Sequence, residues 1–311
     1  MAATLLLRAA VALTALFLFP IASRADLSGI VADGAKVEKI ADGFRFTEGP
    51  VYDRAKNVVL FSDQPTSRLL RYDCKSGKVD VFREAPITPN GNTFDTQGRL
   101  ITCEHRTRRI SRTDPDGRVV TLAYEFDSRR LNSPNDLAFR ADGSLYFTDP
   151  PYGVRKEQEE LGYYGVYRLD TGGGLTLLSK EMVRPNGLAF SPDERVLYVN
   201  DSQEQIIRAY DVRPDGSLVN GRLFATVKAA GKRGGADGLK VDARGYVFST
   251  GAGGVWVIAP SGEVQGVIEV PEVAANCAFG DRDGKTLYIT ASTGLYRVRL
   301  KNPGPIPGKR R

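Results

Sequence analysis

The chain has 311 residues, of which 41% are hydrophobic and 26% charged, a balance that excludes disordered and collagen-like proteins. Its formal charge is +6, but two arginines in the first 25 positions and three basic residues at the end leave about +1 on the body. No basic face remains for nucleic acid, which we therefore exclude as a partner. The 33 glycines, several of them in Asp-Gly pairs, favour an all-β protein with frequent tight turns.

The first 25 residues have the pattern of a signal peptide. Arg8 precedes an apolar run over 9–19, and small residues at Ser23 and Ala25 fit a cleavage site. The run is too short for a bilayer, which needs about 20 residues. We therefore expect residues 1–25 to be removed on export, which gives a periplasmic or secreted protein with no membrane segment after cleavage. An uncleaved anchor is the alternative.

The cysteine and histidine content excludes two kinds of site. Three cysteines are too few and too widely spaced for a disulfide framework, and a single histidine excludes a zinc site built on imidazole. Cys103 and Cys277 lie in apolar, strand-like segments, so we expect them to be small buried side chains.

A sixfold repeat organises the chain after residue 25. Six segments begin with an acid or an amide and continue into an apolar strand, at intervals of 42, 45, 51, 51 and 39 residues. Three further short strands with Gly- or Asp-containing turns follow in most repeats. Four antiparallel strands about every 45 residues are typical of a β-propeller blade. The sequence thus predicts an all-β fold, a six-bladed β-propeller.

The last repeat, from Asn276 to Leu300, has only three strands. The segment 36–46 precedes the first repeat and has the pattern of an outer strand. We expect this N-terminal strand to close the ring by pairing with the last blade, because the pairing removes two exposed sheet edges. The propeller domain then covers residues 26–300, followed by a flexible basic tail over 301–311. We expect a monomer or a weak dimer.

The first residue of every repeat carries a side-chain oxygen: Glu48, Asn90, Asn135, Asn186, Asp237 and Asn276. Equivalent positions of a propeller converge on its axis, and a buried cluster of this kind is costly unless a cation neutralises it. The two carboxylates would balance one divalent ion. Oxygen ligands favour Ca²⁺, with Zn²⁺, Mn²⁺ and Mg²⁺ as alternatives. The competing interpretation, that these residues only form turns, explains the amides but not Glu48.

A second set of equivalent positions follows 14 or 15 residues later: Asp63, Glu104, Asp149, Asp201, Gly251 and Ala291. The second strand of a blade runs antiparallel to the first, so its end returns to the same side of the channel. We expect these residues to form a polar rim that is open at blades 5 and 6. Solvated acids at strand ends are the alternative.

Seven motifs span nearly the whole chain after residue 25: FTEGP (46–50), ITCEH (101–105), NSPND (132–136), FTDPPYG (147–153), RPNGL (184–188), GADGL (235–239) and NCAFG (276–280). In these motifs the sequence resembles the SMP-30/gluconolactonase/LRE family of calcium-dependent, six-bladed propeller lactonases. The resemblance implies a metal bound by Glu48, Asn135, Asn186 and Asp237, with Asp237 also the catalytic acid/base. The sugar lactonases of the family carry an arginine where this chain has Ser133, so the resemblance does not fix the lactone.

The expected reaction is hydrolysis of a small-molecule lactone such as gluconolactone. The cation would polarise the carbonyl, and Asp237 would take the proton of the attacking water. Metal-bound hydroxide is an alternative base, and no G-x-S-x-G motif provides a serine nucleophile. Two other functions compete: a non-catalytic ligand-binding propeller with structural calcium, and a propeller enzyme of the strictosidine-synthase or paraoxonase type.

Five further residues are candidates for contact with the substrate: Asn90, His105, Asp136, Tyr152 and Asn276. His105 follows an acid at the expected channel rim, where it could bond the substrate, shuttle a proton or be bonded only locally. Tyr152 lies in a loop long enough to form a lid over the site.

Overall fold

The structure, a computed structural model, describes residues 26–308. The predicted signal peptide and the last three residues lie outside the described residues. Between them the chain forms six four-stranded antiparallel sheets and one short two-stranded hairpin. No helix in this described range is long and apolar enough to cross a membrane.

Each four-stranded sheet is one blade, and in the first five blades the strands run from the inside of the ring outward in chain order. Blades 1 to 3 consist of β2 (Thr47–Asp53), β3 (Val58–Asp63), β4 (Arg68–Asp73) and β5 (Val79–Glu84); β6 (Pro89–Phe94), β7 (Leu100–Glu104), β8 (Arg109–Thr113) and β9 (Val119–Ala123); and β12 (Leu137–Phe139), β13 (Leu145–Asp149), β14 (Gly165–Leu169) and β15 (Leu175–Ser179). The hairpin of β10 (Glu125–Phe126) and β11 (Arg129–Arg130) lies between blades 2 and 3.

Blades 4 to 6 continue the pattern and complete the ring. They consist of β16 (Pro185–Phe190), β17 (Val196–Asp201), β18 (Ile206–Val212) and β19 (Leu218–Thr226); β20 (Leu239–Val241), β21 (Val247–Gly251), β22 (Gly254–Ile258) and β23 (Val264–Glu269); and β24 (Ala274–Gly280), β25 (Thr286–Ala291) and β26 (Gly294–Arg299). The innermost strands contact one another in the order β2, β6, β12, β16, β20, β24 and back to β2. The predicted six-bladed propeller is confirmed.

An N-terminal strand closes the ring, as the sequence predicts. β1 (Glu38–Ala41) pairs antiparallel with β26 and supplies the fourth strand of blade 6. The pairing converts two sheet edges into one ladder, which removes a template for association with other chains.

The core lies between neighbouring blades, where the apolar side chains of facing sheets interdigitate. Tyr52 of blade 1 stacks on Tyr288 of blade 6, with ring centroids 6.4 Å apart. Phe248 of blade 5 meets Phe279 of blade 6 edge-on at 5.4 Å. Cys103 is fully buried in a cluster of this kind between blades 2 and 3. Cys277 is likewise buried, and both are free thiols, as expected for small apolar side chains.

The segment after blade 6 differs from the flexible tail predicted for 301–311. The amide of Lys301 donates to the carbonyl of Ile30 at 2.8 Å, and that of Gly304 donates to the carbonyl of Gly284 at 3.0 Å. Ile306 packs against the apolar cluster between blades 1 and 6. Residues 301–308 therefore lie on the body of the propeller, because an apolar residue and free backbone donors near the end find partners there.

Candidate active site

A cavity of about 390 Å³ opens on the central channel. Its wall comes from the first residues of the inner strands and from the loops that follow the second strands. The lining residues are Phe46, Glu48, Gln64, Asn90, His105, Asn135, Tyr152, Asn186, Ser202, Gln205, Gly235, Ala236, Asp237, Val273 and Ala274. Most of these side chains are polar, which is typical of a site that orients a small hydrophilic ligand.

The four residues predicted to bind a metal meet in this cavity. Glu48 and Asn186 lie in β2 and β16, while Asn135 and Asp237 lie two residues before the starts of β12 and β20. All four come from different blades. Glu48 and Asp237 both line the cavity, and the negative charge of Glu48 acts on the carboxyl group of Asp237. Positions far apart in sequence thus converge as the repeat predicts.

Local backbone irregularities direct these side chains into the channel. The pairing of β2 with β3 shifts register after Glu48. The pairing of β16 with β17 shifts register between Pro185 and Leu188, a span that contains Asn186. A bulge of this kind changes the direction of the side chain that it contains. The inner strands therefore depart from regular pairing where the site residues lie.

The two facing carboxyl groups share one buried environment. Burial raises the pKa of Glu48 to about 7, and the negative charge of Asp136 adds to this effect. Burial also raises the pKa of Asp237 well above its usual range. Repulsion from the charges of Glu48 and Asp136 is the next largest cause of this shift. Two buried acids that repel each other resist simultaneous ionisation unless a proton or a cation compensates their charge.

The site contains a buried amide oxygen that has no hydrogen-bond partner among the described residues. Nδ2 of Asn186 donates to Oγ of Ser202 at 2.9 Å and faces the Tyr152 hydroxyl at 3.4 Å, whereas its Oδ1 is buried without a partner among the described residues. An unpartnered amide oxygen beside two carboxylates fits a hard divalent cation. Within residues 26–308 no three His, Cys, Asp or Glu side chains are arranged so that they alone could hold a metal ion. A metal site here thus depends on asparagine ligands.

Three of the five proposed substrate contacts, Asn90, His105 and Tyr152, line the cavity. Nε2 of His105 lies 2.9 Å from Nδ2 of Asn90, and Nδ1 lies 3.2 Å from Nε2 of Gln64. Burial lowers the pKa of His105 to about 3, so the imidazole is neutral near pH 7. A neutral ring suits hydrogen bonding to a substrate better than proton shuttling.

Tyr152 belongs to a loop that is fixed against the wall of the cavity. The neighbouring Gly153 donates its amide to Oγ of Ser133 at 2.6 Å, and a Cβ at position 153 would lie 2.5 Å from Cβ of His105. The Tyr152 ring lies beside the His105 ring, with centroids 6.4 Å apart. Ser133, which departs from the expected arginine, thus anchors the loop that carries Tyr152.

The other two proposed contacts lie elsewhere. Asp136 and Asn276 are buried and outside the lining of the cavity, and Nδ2 of Asn276 lies 3.3 Å from Oδ2 of Asp136. Asn276 nevertheless contacts a residue of the cavity wall, since its Nδ2 lies 3.0 Å from Oε2 of Glu48. A direct contact of either one with substrate stays a prediction that this placement does not favour.

The second set of acids does not form the expected polar rim. None of them lines the cavity; they are buried and accept hydrogen bonds from neighbouring loops. Oδ1 of Asp63, for example, accepts hydrogen bonds from the backbone amides of Arg45 and Phe46. The carboxylate of Glu104 accepts hydrogen bonds from the Ser111 hydroxyl and the Arg109 guanidinium. Asp149 and Asp201 likewise accept backbone amides of adjoining loops, whereas the partners of Glu104 are side chains, so these acids are structural rather than solvated.

Gln64, Ser202 and Gln205 line the cavity although the sequence did not single them out. Gln64 and Ser202 directly follow the acids Asp63 and Asp201, as His105 follows Glu104. The position after the second-strand acid is therefore a signal for the wall of the site.

Comparison with known proteins identifies the family. A family model described as "SMP-30/Gluconolactonase/LRE-like region" matches residues 46–293. A gluconolactonase of Zymomonas mobilis subsp. mobilis is 34% identical over 304 residues, covering 89% of this chain and 85% of the relative. The pentonolactonase XacC of Haloferax volcanii is 27% identical over 256 residues, covering 80% and 82%. A solved gluconolactonase from Xanthomonas campestris is 38% identical, with a TM-score of 0.81 and coverage of 88% and 92%. The chain belongs to the SMP-30/gluconolactonase/LRE-like family.

Proposed function

We propose that this protein is a metal-dependent lactone hydrolase that opens a sugar lactone such as gluconolactone. Its relatives include a gluconolactonase at 34% identity over most of both chains, which supports lactone hydrolysis. The observation that carries the site assignment is the pair of facing carboxylates, Glu48 and Asp237, beside the unpartnered oxygen of Asn186. These groups, with Asn135, would hold one divalent cation, for which we favour Ca²⁺.

Asp237 has the central role in the proposed reaction. A bound divalent cation would polarise the lactone carbonyl and stabilise the negative charge that develops on its oxygen. Asp237 accepts the proton of the water whose oxygen attacks the carbonyl carbon. The ring carbon–oxygen bond then breaks, and the departing oxygen takes up this proton. The products are one hydroxy acid and an unchanged carboxylate.

The rest of the cavity suits a monosaccharide lactone. The amide groups of Gln64 and Asn90 and the Tyr152 hydroxyl can bond sugar hydroxyls, while the two ring nitrogens of His105 face these amides. Cavities of a few hundred cubic ångströms with a few polar groups are typical small-molecule sites. We expect these contacts to determine KM more than kcat, because they do not touch the reacting carbonyl.

Asp237→Asn tests the catalytic assignment. The variant retains an oxygen ligand and nearly the same volume but cannot accept the proton. At saturating Ca²⁺, kcat for glucono-δ-lactone should fall on the order of 10²–10⁴-fold, the usual contribution of a general base. Glu48→Gln is the matched variant: it should weaken metal binding, and saturating Ca²⁺ should restore more of its rate.

The same experiment separates catalysis from binding alone. If Asp237→Asn retains the wild-type rate with metal saturated, Asp237 is not the base. If the wild-type protein hydrolyses none of a panel of sugar lactones, with or without added metal, the ligand-binding propeller becomes the better interpretation. Ca²⁺ added to chelator-treated protein should raise the melting temperature, because the ion binds only the folded state.

We also propose that the protein is exported. The support is the pattern of Arg8, the apolar run over 9–19 and Ser23–Ala25. N-terminal sequencing of periplasmic or secreted material should begin near Asp26. A cytosolic product that retains Met1 would contradict export.

A further inference from the structure

A partly buried lysine lies on an inner strand, outside the lining of the cavity. Lys240 belongs to the inner strand β20, and its Nζ donates to the carbonyl of Leu239 at 2.9 Å. The same nitrogen lies 3.4 Å from Oδ2 of Asp136 and 3.4 Å from Oδ1 of Asn276. Its side chain is only 22% exposed and that of Asp136 only 3%. Blades 3, 5 and 6 thus meet at one ammonium group.

The ammonium group orients the amide of Asn276. Oδ1 of Asn276 faces Nζ of Lys240 and accepts the amide of Cys277 at 2.8 Å. Because the oxygen faces these donors, Nδ2 must point to the opposite side. There it lies 3.0 Å from Oε2 of Glu48 and 3.3 Å from Oδ2 of Asp136. The amide of Asn276 therefore links the Lys240 side chain to Glu48, a carboxylate of the proposed metal site.

The balance of charges around Lys240 also connects it with the proposed metal site. Three carboxylates act on one another there, those of Glu48, Asp136 and Asp237. Lys240 contributes one positive charge next to Asp136. Two negative charges remain, and one divalent cation neutralises them. Without the lysine the same cation would leave one buried carboxylate unbalanced, which is an unfavourable arrangement.

We propose that Lys240 is the internal counter-ion of Asp136, which leaves Glu48 and Asp237 as the two charges for a divalent cation and holds Asn276 against Glu48. Lys240 is a positioning residue: it acts on the metal site through Asp136 and Asn276. This inference rests on the divalent cation of the proposed function, but not on the identity of the substrate.

A charge-balance cycle tests the inference by calorimetric titration of Ca²⁺ into chelator-treated protein. Asp136→Asn leaves the ammonium group of Lys240 without its partner, so Ca²⁺ affinity should fall on the order of tenfold to a hundredfold by charge repulsion. Adding Lys240→Met to this variant removes the uncompensated charge. The double variant should bind Ca²⁺ within about threefold of wild type. The Ca²⁺-induced rise in melting temperature should follow the same order.

Lys232 and Glu269 provide the matched control, because they form an exposed pair at 3.4 Å. The corresponding changes, Glu269→Gln and Lys232→Met, should leave Ca²⁺ affinity unaltered. Normal binding by Asp136→Asn, or equally weak binding by the single and the double variant, would overturn the inference. If Asp136→Asn does not fold, the double variant decides alone: wild-type affinity supports the counter-ion, and weak binding refutes it. A wild-type protein that binds no Ca²⁺ would instead refute the cation of the proposed function, and the inference with it.

Discussion

The buried aspartates of this protein differ in their surroundings. Asp237 lies against Glu48 in the cavity, whereas Asp149 accepts the backbone amide of Asn132 at 2.7 Å and its Nδ2 at 3.1 Å. The second oxygen of Asp149 is buried without a partner among the described residues. Burial raises the pKa of Asp149 to about 7, even though these bonds favour the charged form. Environment, not residue type, therefore separates the acid that we propose to be catalytic from the structural one.

The raised pKa of Asp149 predicts a dependence of stability on pH. The folded protein binds this proton more tightly than the unfolded chain, whose carboxyl has its ordinary pKa of 3.8. The stabilisation is complete below that pH and is lost as the pH rises through about 7. The free energy of unfolding should fall by up to about 1.4 kcal/mol per pH unit across this window. Asp149→Asn, which cannot ionise, should have a smaller decrease between pH 5 and 7 in denaturant titrations.

Asp215→Asn is the control for this measurement. Asp215 lies in an exposed turn, where hydrogen bonds from Ser217 lower its pKa. Its titration affects stability only below about pH 4, so the slope between pH 5 and 7 should equal that of wild type. Equal slopes for wild type and Asp149→Asn would mean that Asp149 is already ionised in the folded protein.

The residues of the candidate metal site could be predicted because they occupy the same position of each repeat. Gln205 could not, because it lies in the loop between a second and a third strand, and these loops differ in length from blade to blade. The sequence also placed Asp136 with the substrate contacts. Its actual partner, Lys240, is 104 positions away, and no local pattern reveals that pair.

Glycines that follow the site residues set the spacing of the inner strands. Gly49, Gly91, Gly187 and Gly238 each have a Cα so close to the next blade that an added Cβ would collide with it. The amide of Gly187 also donates to the carbonyl of Asp237 at 2.9 Å, which links blade 4 to blade 5. The sequence pattern of an acid or amide followed by glycine therefore has two causes: the first residue lies at the candidate site, and the second permits close approach.

Gly187→Ala should disturb the site through this approach. Its Cβ would collide with the backbone oxygen of Asp237 and would lie 2.6 Å from Cα of Gly238, so blades 4 and 5 must move apart. We expect a loss of about 1–3 kcal/mol in the free energy of unfolding, as in other overpacked interiors. Displacement of Asp237 should lower kcat by roughly 10²-fold. Thermal melts and rate measurements at saturating Ca²⁺ would check both effects.

Gly29→Ala is the matched substitution, because no atom lies within 4 Å of an added Cβ there. It should melt and react like wild type. Wild-type behaviour of Gly187→Ala would mean that the inner strands have more room than their backbone contacts indicate.

Most strands follow from the repeat, but irregular elements do not. Turn signals followed by short apolar segments recur in every blade. They predict second strands at 58–62, 100–102, 145–148, 196–200, 246–250 and 287–290, which agree with β3, β7, β13, β17, β21 and β25 to within a few residues. The hairpin of β10 and β11 was not predicted. It has two residues per strand, and its turn uses Asp127 and Ser128 at positive φ, which leaves no apolar pattern to detect.

At the scale of the whole molecule, the two ends of the described chain meet in blade 6. Beyond the ladder of β1 with β26, Val31 forms a bridge with Leu300, and Ile30 is buried among the apolar residues of blades 5 and 6. Lys39 forms an ion pair with Glu272 at 2.7 Å. The sequence predicted the closing strand but not this anchor around Ile30, because a single apolar residue in a turn has no periodicity.

Ring closure predicts that the N-terminal segment is required for stability and can act in trans. A chain that begins at Gly43 lacks β1 and the buried side chain of Ile30, and it exposes the edge of β26. Loss of one buried isoleucine alone costs about 2–5 kcal/mol, so the melting temperature should fall by on the order of 10 °C. A synthetic peptide covering residues 27–42 should restore much of this loss, because it can add the missing strand to an open sheet edge.

The same peptide with Ile30→Asp should restore less, since it can form the ladder but cannot bury the anchor. If truncation leaves the melting temperature unchanged, closure of the ring by this strand contributes nothing to stability, and the inner strands alone hold the blades together.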